Sequence, residues 1–75
     1  MKKVFIKITE IDDVNKFVQY AKNVRGDVLV SRGQFCIDGK SILGIYSLDV
    51  SQGCTVQYPE NEKEFDNFIQ QFMGE

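Results

Sequence analysis

Apolar residues recur along this chain with two different periods, and the switches between them mark out its elements. Val4, Ile6 and Ile8 alternate with Lys3, Phe5 and Lys7, the period of a strand buried on one face. From Val14 the spacing becomes helical, with Phe17, Val18, Ala21 and Val24 following behind Asp12 and Asp13. Gly26 is the expected left-handed cap of a helix of about three turns. Residues 27–31 and 34–37 are β-rich runs flanking Arg32 and Gly33, which reads as a hairpin. Asp38-Gly39 ends it, and Lys40-Ser41 opens a short, nearly all-apolar helix reaching Leu48, with Gly44 at its centre.

After a loop over 49–53, Cys54 to Tyr58 alternate as a fourth strand that Pro59 stops. Asn61 and Glu64 have capping-box spacing, and Phe65, Phe68, Ile69 and Phe72 form the stripe of a last helix ending at Gly74. The order is βαββαβα. Amphipathic helices beside alternating strands imply an α+β fold, with one layer of helices on one face of a four-stranded antiparallel sheet. Phe5, Leu29 and Phe35 fall out of phase with the inward positions. Either they are scattered apolar residues on the open face, or that face forms a weak dimer.

In the second helix Ile42, Ile45 and Leu48 share one stripe, and Leu43 and Tyr46 the neighbouring one. A helix of about two turns cannot bury both stripes against one sheet. Leu43 and Tyr46 are therefore expected to form an apolar patch beside Lys40 and Ser41, suited to a protein partner. The competing expectation is core packing, with Tyr46 folded back over the first helix.

Composition narrows the choice of function. Residues 1–75 are sized for a single domain, and 43% hydrophobic content describes a folded chain. A net charge of −2 gives no electrostatic case for nucleic acid or an anionic membrane. No secretion signal or membrane span is read, so a cytoplasmic protein is expected, with Cys36 and Cys54 as buried thiols and a disulfide the alternative. There is no histidine. No triad, metal constellation or phosphate-cradling glycine loop is present either, so no enzyme, cofactor or metal is expected.

The element order, the Phe17-Val18 and Ala21-Lys22 steps, and above all Lys40-Ser41-Ile42-Leu43-Gly44 followed by Ser47-Leu48 and Gln52-Gly53 resemble HPr. HPr is the histidine-containing phosphocarrier family of the bacterial sugar phosphotransferase system. The resemblance implies an open-faced β-sandwich and recognition by proteins that dock on the first two helices. Such a partner would be a phosphotransferase component, a kinase or a transcription regulator. It also makes Ser41 the match to the family's regulatory phosphoserine, with Lys40, Ile42, Leu43 and Tyr46 as partner-binding residues. A phosphate on Ser41 would face the positive end of a helix dipole, whereas the plain structural role of that serine is an N-cap.

Counted back from Phe17 without gaps, the family's phosphorylated histidine and its companion arginine and proline fall on Glu10, Asp12 and Asp13. Three carboxylates repel a phosphoryl group that an imidazole would accept, so phosphocarrier activity is not expected. Helix capping and dipole complementarity explain these acids, and mimicry of a phosphorylated histidine by Glu10 is the sharper alternative. The expected function is an HPr-like regulatory or interaction module acting through the Ser41 helix. A ferredoxin-like ligand-sensing or dimerising module shares βαββαβ but requires a second helix of several turns.

Overall fold

Alternation pairs the strands as their apolar phase requires. The structure, a computed structural model, describes residues 1–73. Strand β1 (Lys2–Ile6) is followed by α1 (Ile11–Lys22), β2 (Leu29–Arg32), β3 (Phe35–Asp38), α2 (Ile42–Leu48), β4 (Cys54–Tyr58) and α3 (Lys63–Ile69). The strands form one antiparallel sheet in the order β1-β4-β2-β3. Val4, Val56, Val30 and Ile37 stand side by side across it. Helix α1 lies between α2, which sits over β2 and β3, and α3. Because α2 has only seven residues, the ferredoxin-like alternative fails on helix length.

The core is the layer between sheet and helices. Ile6, Val28, Val30, Val56 and Tyr58 from the strands meet Phe17, Ala21, Ile45, Phe65 and Ile69 from the helices, all buried. Phe17 and Tyr58 both pack edge-on against Phe65, at centroid separations of 5.5 and 5.0 Å. Tyr20 and Phe68 stack at 4.1 Å, fastening α1 to α3 near the surface. The buried Tyr58 hydroxyl donates to Asp66 Oδ1, which also accepts from Lys2 Nζ at 2.7 Å. One carboxylate thereby ties α3 to both β4 and β1.

Several local expectations are corrected. The hairpin turns at Gly33-Gln34, not Arg32-Gly33, because Gly33 takes the left-handed conformation (φ +61°) and Arg32 pairs with Phe35. That register puts Phe35 in phase with Ile37, on the helix side beyond α2, not on the open face. Helix α1 already stops at Lys22, capped by Asn23, so the left-handed Gly26 serves the following turn. Asn61 and Glu64 form no capping box. Asn61 has φ +75°, Glu62 is the N-cap residue, and the Glu62 carboxylate accepts from Arg25 N instead. The α-helical geometry ends at Ile69 and tightens to a 3-10 turn over Gln70–Phe72; the expected end at Gly74 lies outside the described residues.

The thiols are not alike: Cys54 is buried, but Cys36 is exposed. Cys36 pairs with Ser31, which in turn pairs with Thr55, so it shares the open face with them. Cys54, one residue from Thr55, points the other way, into the core. Two strand spacings of about 4.8 Å and opposite faces rule out a disulfide between them. Burial pushes the Cys54 thiol up to about 11, with Arg32 opposing the shift.

Two expectations follow. A thiol reagent on the native protein should label Cys36 rapidly and Cys54 only on unfolding; two fast-reacting thiols would contradict this packing. The second concerns Asp66, whose carboxyl is held below its ordinary 3.8 by the hydrogen bond from Lys2 and then that from Tyr58. A lowered folded-state value means that its stabilisation is complete above 3.8 and lost as pH falls through the folded-state value. Burial, then the hydrogen bond to Asp66 and its charge, raise Tyr58, so it remains the donor throughout. Denaturation curves should show Asp66→Asn removing part of the acid sensitivity of the wild type, and Tyr58→Phe costing about 1 kcal/mol at neutral pH.

Candidate functional site

Helix α2 begins where the sequence gives its backbone a cap. Ser41 has extended geometry, its Oγ accepts from Gly44 N at 3.2 Å, and its carbonyl accepts from Ile45 N at 3.1 Å. It is half-buried. Asp38 prepares the turn, its Oδ1 accepting from Lys40 N at 2.9 Å and its carbonyl from Ser41 N at 3.0 Å. The Lys40 ammonium reaches back to donate to Val24 O at 3.0 Å, just past the end of α1. Lys40 is thus engaged within the fold and half-buried.

The two stripes of α2 separate in exposure. Ile45 and Leu48 are buried and Ile42 is half-buried against the core. A Cβ on Gly44 would fall 3.3 Å from Ile37 Cβ, so the central glycine lets the helix settle closely on β3. Leu43, in contrast, is 78% exposed. Tyr46 combines both expected arrangements: its hydroxyl donates to Asn15 Oδ1 on α1 at 3.1 Å, yet 46% of the residue remains exposed. Asn15 could not be picked out in advance, since the pair spans 31 residues.

The C-terminal half of α2 faces the start of α1 across a groove of about 180 Å³. Ile8, Val14, Ile45 and Val50 supply its apolar walls, and Glu10, Ile11, Tyr46 and Asp49 also line it. Glu10 is the N-cap residue of α1, but its side chain makes no cap hydrogen bond; its carbonyl accepts from Asp13 N and Val14 N, both at 3.1 Å. Asp12 and Asp13 occupy the first turn, beside the positive end of the helix dipole. Ile11, 63% exposed, was missed as a site candidate; its only sequence signal is an apolar residue set among these acids. Asp49 closes α2 in the left-handed conformation and accepts from Ser51 Oγ at 2.7 Å.

Helices α1 and α2 run in opposite directions: Lys40 meets Val24 at one end, while Tyr46 and Asp49 share a groove with Glu10 at the other. The structure therefore does not bring Ser41 together with Glu10, Asp12 and Asp13. The five residues from Ser41 to Tyr46 correspond to about 7.5 Å of helical rise. Among the described residues, no three His, Cys, Asp or Glu side chains are placed to hold a metal ion, and no helix is long and apolar enough to cross a membrane.

A family model described as the PTS HPr component phosphorylation site matches residues 13–65. The chain belongs to the HPr family. HPr-C-His from Thermoanaerobacter tengcongensis superposes with a TM-score of 0.77 at 27% identity, over 97% of this chain and 91% of that one. The phosphocarrier protein HPr from Bacillus anthracis str. Ames shares the fold at a TM-score of 0.69 and 20% identity, covering 95% and 93%. No curated protein matches the chain. The span matched by the HPr model contains the whole of α2 and Ser41, and it starts after Glu10 and Asp12.

The exposure difference along α2 yields a direct test. Leu43→Asp should leave stability within about 0.5 kcal/mol of wild type, whereas Ile45→Ala, which empties a core position, should cost about 2–5 kcal/mol. Urea unfolding of both variants measures this. Comparable losses would place Leu43 in the core.

Proposed function

We propose that this HPr-family chain carries no phosphoryl group on a histidine and acts as a regulatory docking module. Its contact surface is Leu43 and Tyr46 on α2, bordered by Lys40 and Ile42, and Ser41 is its modifiable position. The observation that carries the reading is Leu43: an apolar side chain 78% exposed, two residues from Ser41, in a chain without histidine. An exposed leucine and tyrosine on a short helix provide the anchors a protein partner desolvates on binding.

The chemistry at Ser41 supports the reading in two ways. A phosphate ester on its oxygen would displace one neutral cap bond but would sit against the free amides of the first helical turn, where negative charge is tolerated. The acids at the start of α1 lie at the far end of α2. Exposed charges are screened over about 8 Å at physiological ionic strength, so the antiparallel placement weakens their repulsion. Asp38 is the acid near the site, and its carboxylate already accepts from Lys40 N.

The cap bond and half-burial also mean that a kinase must loosen the first turn of α2 to reach the hydroxyl. A partner gripping Leu43 could supply that work. Glu10, Asp12 and Asp13 in turn disfavour phosphoryl transfer at the position matched to the family's histidine, since they repel the donor and offer no imidazole nucleophile.

The reading is tested by two incubations. With phosphoenolpyruvate and the general phosphotransferase enzyme, the chain should take up no label. With ATP and the kinase that modifies the regulatory serine of HPr, mass spectrometry should place one phosphate on Ser41, with Ser41→Ala unlabelled and Leu43→Asp modified at least about tenfold more slowly, the loss of roughly one anchor contact. Stoichiometric label from phosphoenolpyruvate would make the protein a carrier. Absence of kinase labelling would remove Ser41 as a regulated position.

A further inference from the structure

We propose that the groove between α1 and α2 receives the basic, uncovered face of β1 from a second copy of this chain. The groove side is apolar with an acidic border: Ile11 and Tyr46 are exposed beside it, Glu10 and Asp49 line it, and Asp12 and Asp13 occupy the adjoining turn. The other surface has the opposite character. Lys3, Phe5 and Lys7 are all exposed and alternate with Val4, Ile6 and Ile8, of which the latter two are buried. Lys3 and Phe5 therefore share the face of β1 that no helix covers, and the exposed Lys7 follows one residue past the end of the strand.

Three observations single out a second copy as the occupant. First, among the described residues none of Lys3, Lys7, Glu10, Asp12 and Asp13 forms an ion pair, so both surfaces keep their charge available. Second, Phe5 is 56% exposed but already held. A Cβ on Gly53 would overlap its ring, so the ring rests on the Gly53 backbone and loses little freedom on docking. Third, the net charge of −2 lets copies approach with little overall repulsion. A different basic protein would cover the groove and leave Phe5 with its lysines unpartnered, whereas in a contact between two copies one groove and one strand face cover each other. Because two different faces meet, the contact is head-to-tail, and each end of a dimer retains one unused surface. Tyr46 belongs to the groove and to the docking surface proposed above, so self-association would compete with partner binding.

Sedimentation velocity on the full chain tests this, at low salt and at about 0.5 M salt, where charges are screened beyond a few ångströms. Wild type should associate with rising concentration at low salt, at least about tenfold more weakly at high salt. Lys3→Glu/Lys7→Glu and Glu10→Lys/Asp12→Lys should each be monomeric, and an equimolar mixture of the two, in which intact groove meets intact strand and reversed groove meets reversed strand, should associate again. Should a reversed variant not fold, Glu10→Gln/Asp12→Asn replaces it and should weaken wild-type association. A wild type that stays monomeric at low salt, association indifferent to salt or to either variant, or a mixture that stays monomeric would each overturn the proposal.

Discussion

Three helices have to share one face of a four-stranded sheet, and that face is too narrow to seat them equally. Strands spaced about 4.8 Å apart give roughly 14 Å between the outermost strand axes, while packed helices need about 8–10 Å each. Helices α1 and α3 take the middle and one side, bound through Phe17, Phe65, Tyr20 and Phe68. Helix α2 is left over β2 and the edge strand β3, with room to bury Ile45 and Leu48 but not Leu43. The exposure of Leu43 is thus a result of layer geometry. Its neighbours determine whether that surface is useful to a partner.

Charge is what distinguishes the two helix starts of this chain from each other. A helix N-terminus attracts anions, and in α1 the first turn already holds Asp12 and Asp13, with Glu10 beside them. The dipole that could steady a phosphoryl group is occupied by the protein's own carboxylates. At α2 the first turn contains no acid, and the cap is a neutral hydroxyl. Two helix starts in one small fold therefore treat added negative charge in opposite ways, and the antiparallel packing of α1 and α2 keeps them apart.

The fold was largely legible because its long signals are periodic. The alternation of Val4, Ile6 and Ile8 and the spacing from Val14 to Val24 each admit one buried phase, and the HPr likeness of the Lys40 segment fixed the topology. Short elements escaped. A four-residue strand such as β3 has too few positions to reveal its phase, so Phe35 and Cys36 could be assigned to the wrong environment, and the register depended on whether Arg32 or Gly33 entered the turn. Contacts distant in sequence were equally out of reach: the grip of Lys40 on Val24, the bond from Tyr46 to Asn15, and the diversion of Glu62 to Arg25 come from packing that no local pattern encodes. Of the candidate site, the exposure of Leu43 followed from stripe counting, while the groove bordered by Ile11 and Asp49 did not.

The stacked pair of Tyr20 and Phe68 has a dynamic meaning. It joins α1 to α3 without involving α2, and α2 itself is held by Ile45, Leu48, the Lys40 tether and the single Tyr46 to Asn15 bond. The molecule is therefore mechanically uneven: a stiff block of two helices on the sheet, and a two-turn segment that can open locally at lower free energy than the whole. Under the function proposed above, a partner or modifying enzyme at Ser41 would work on that softer unit, and the fold need not be disturbed for its first turn to be released.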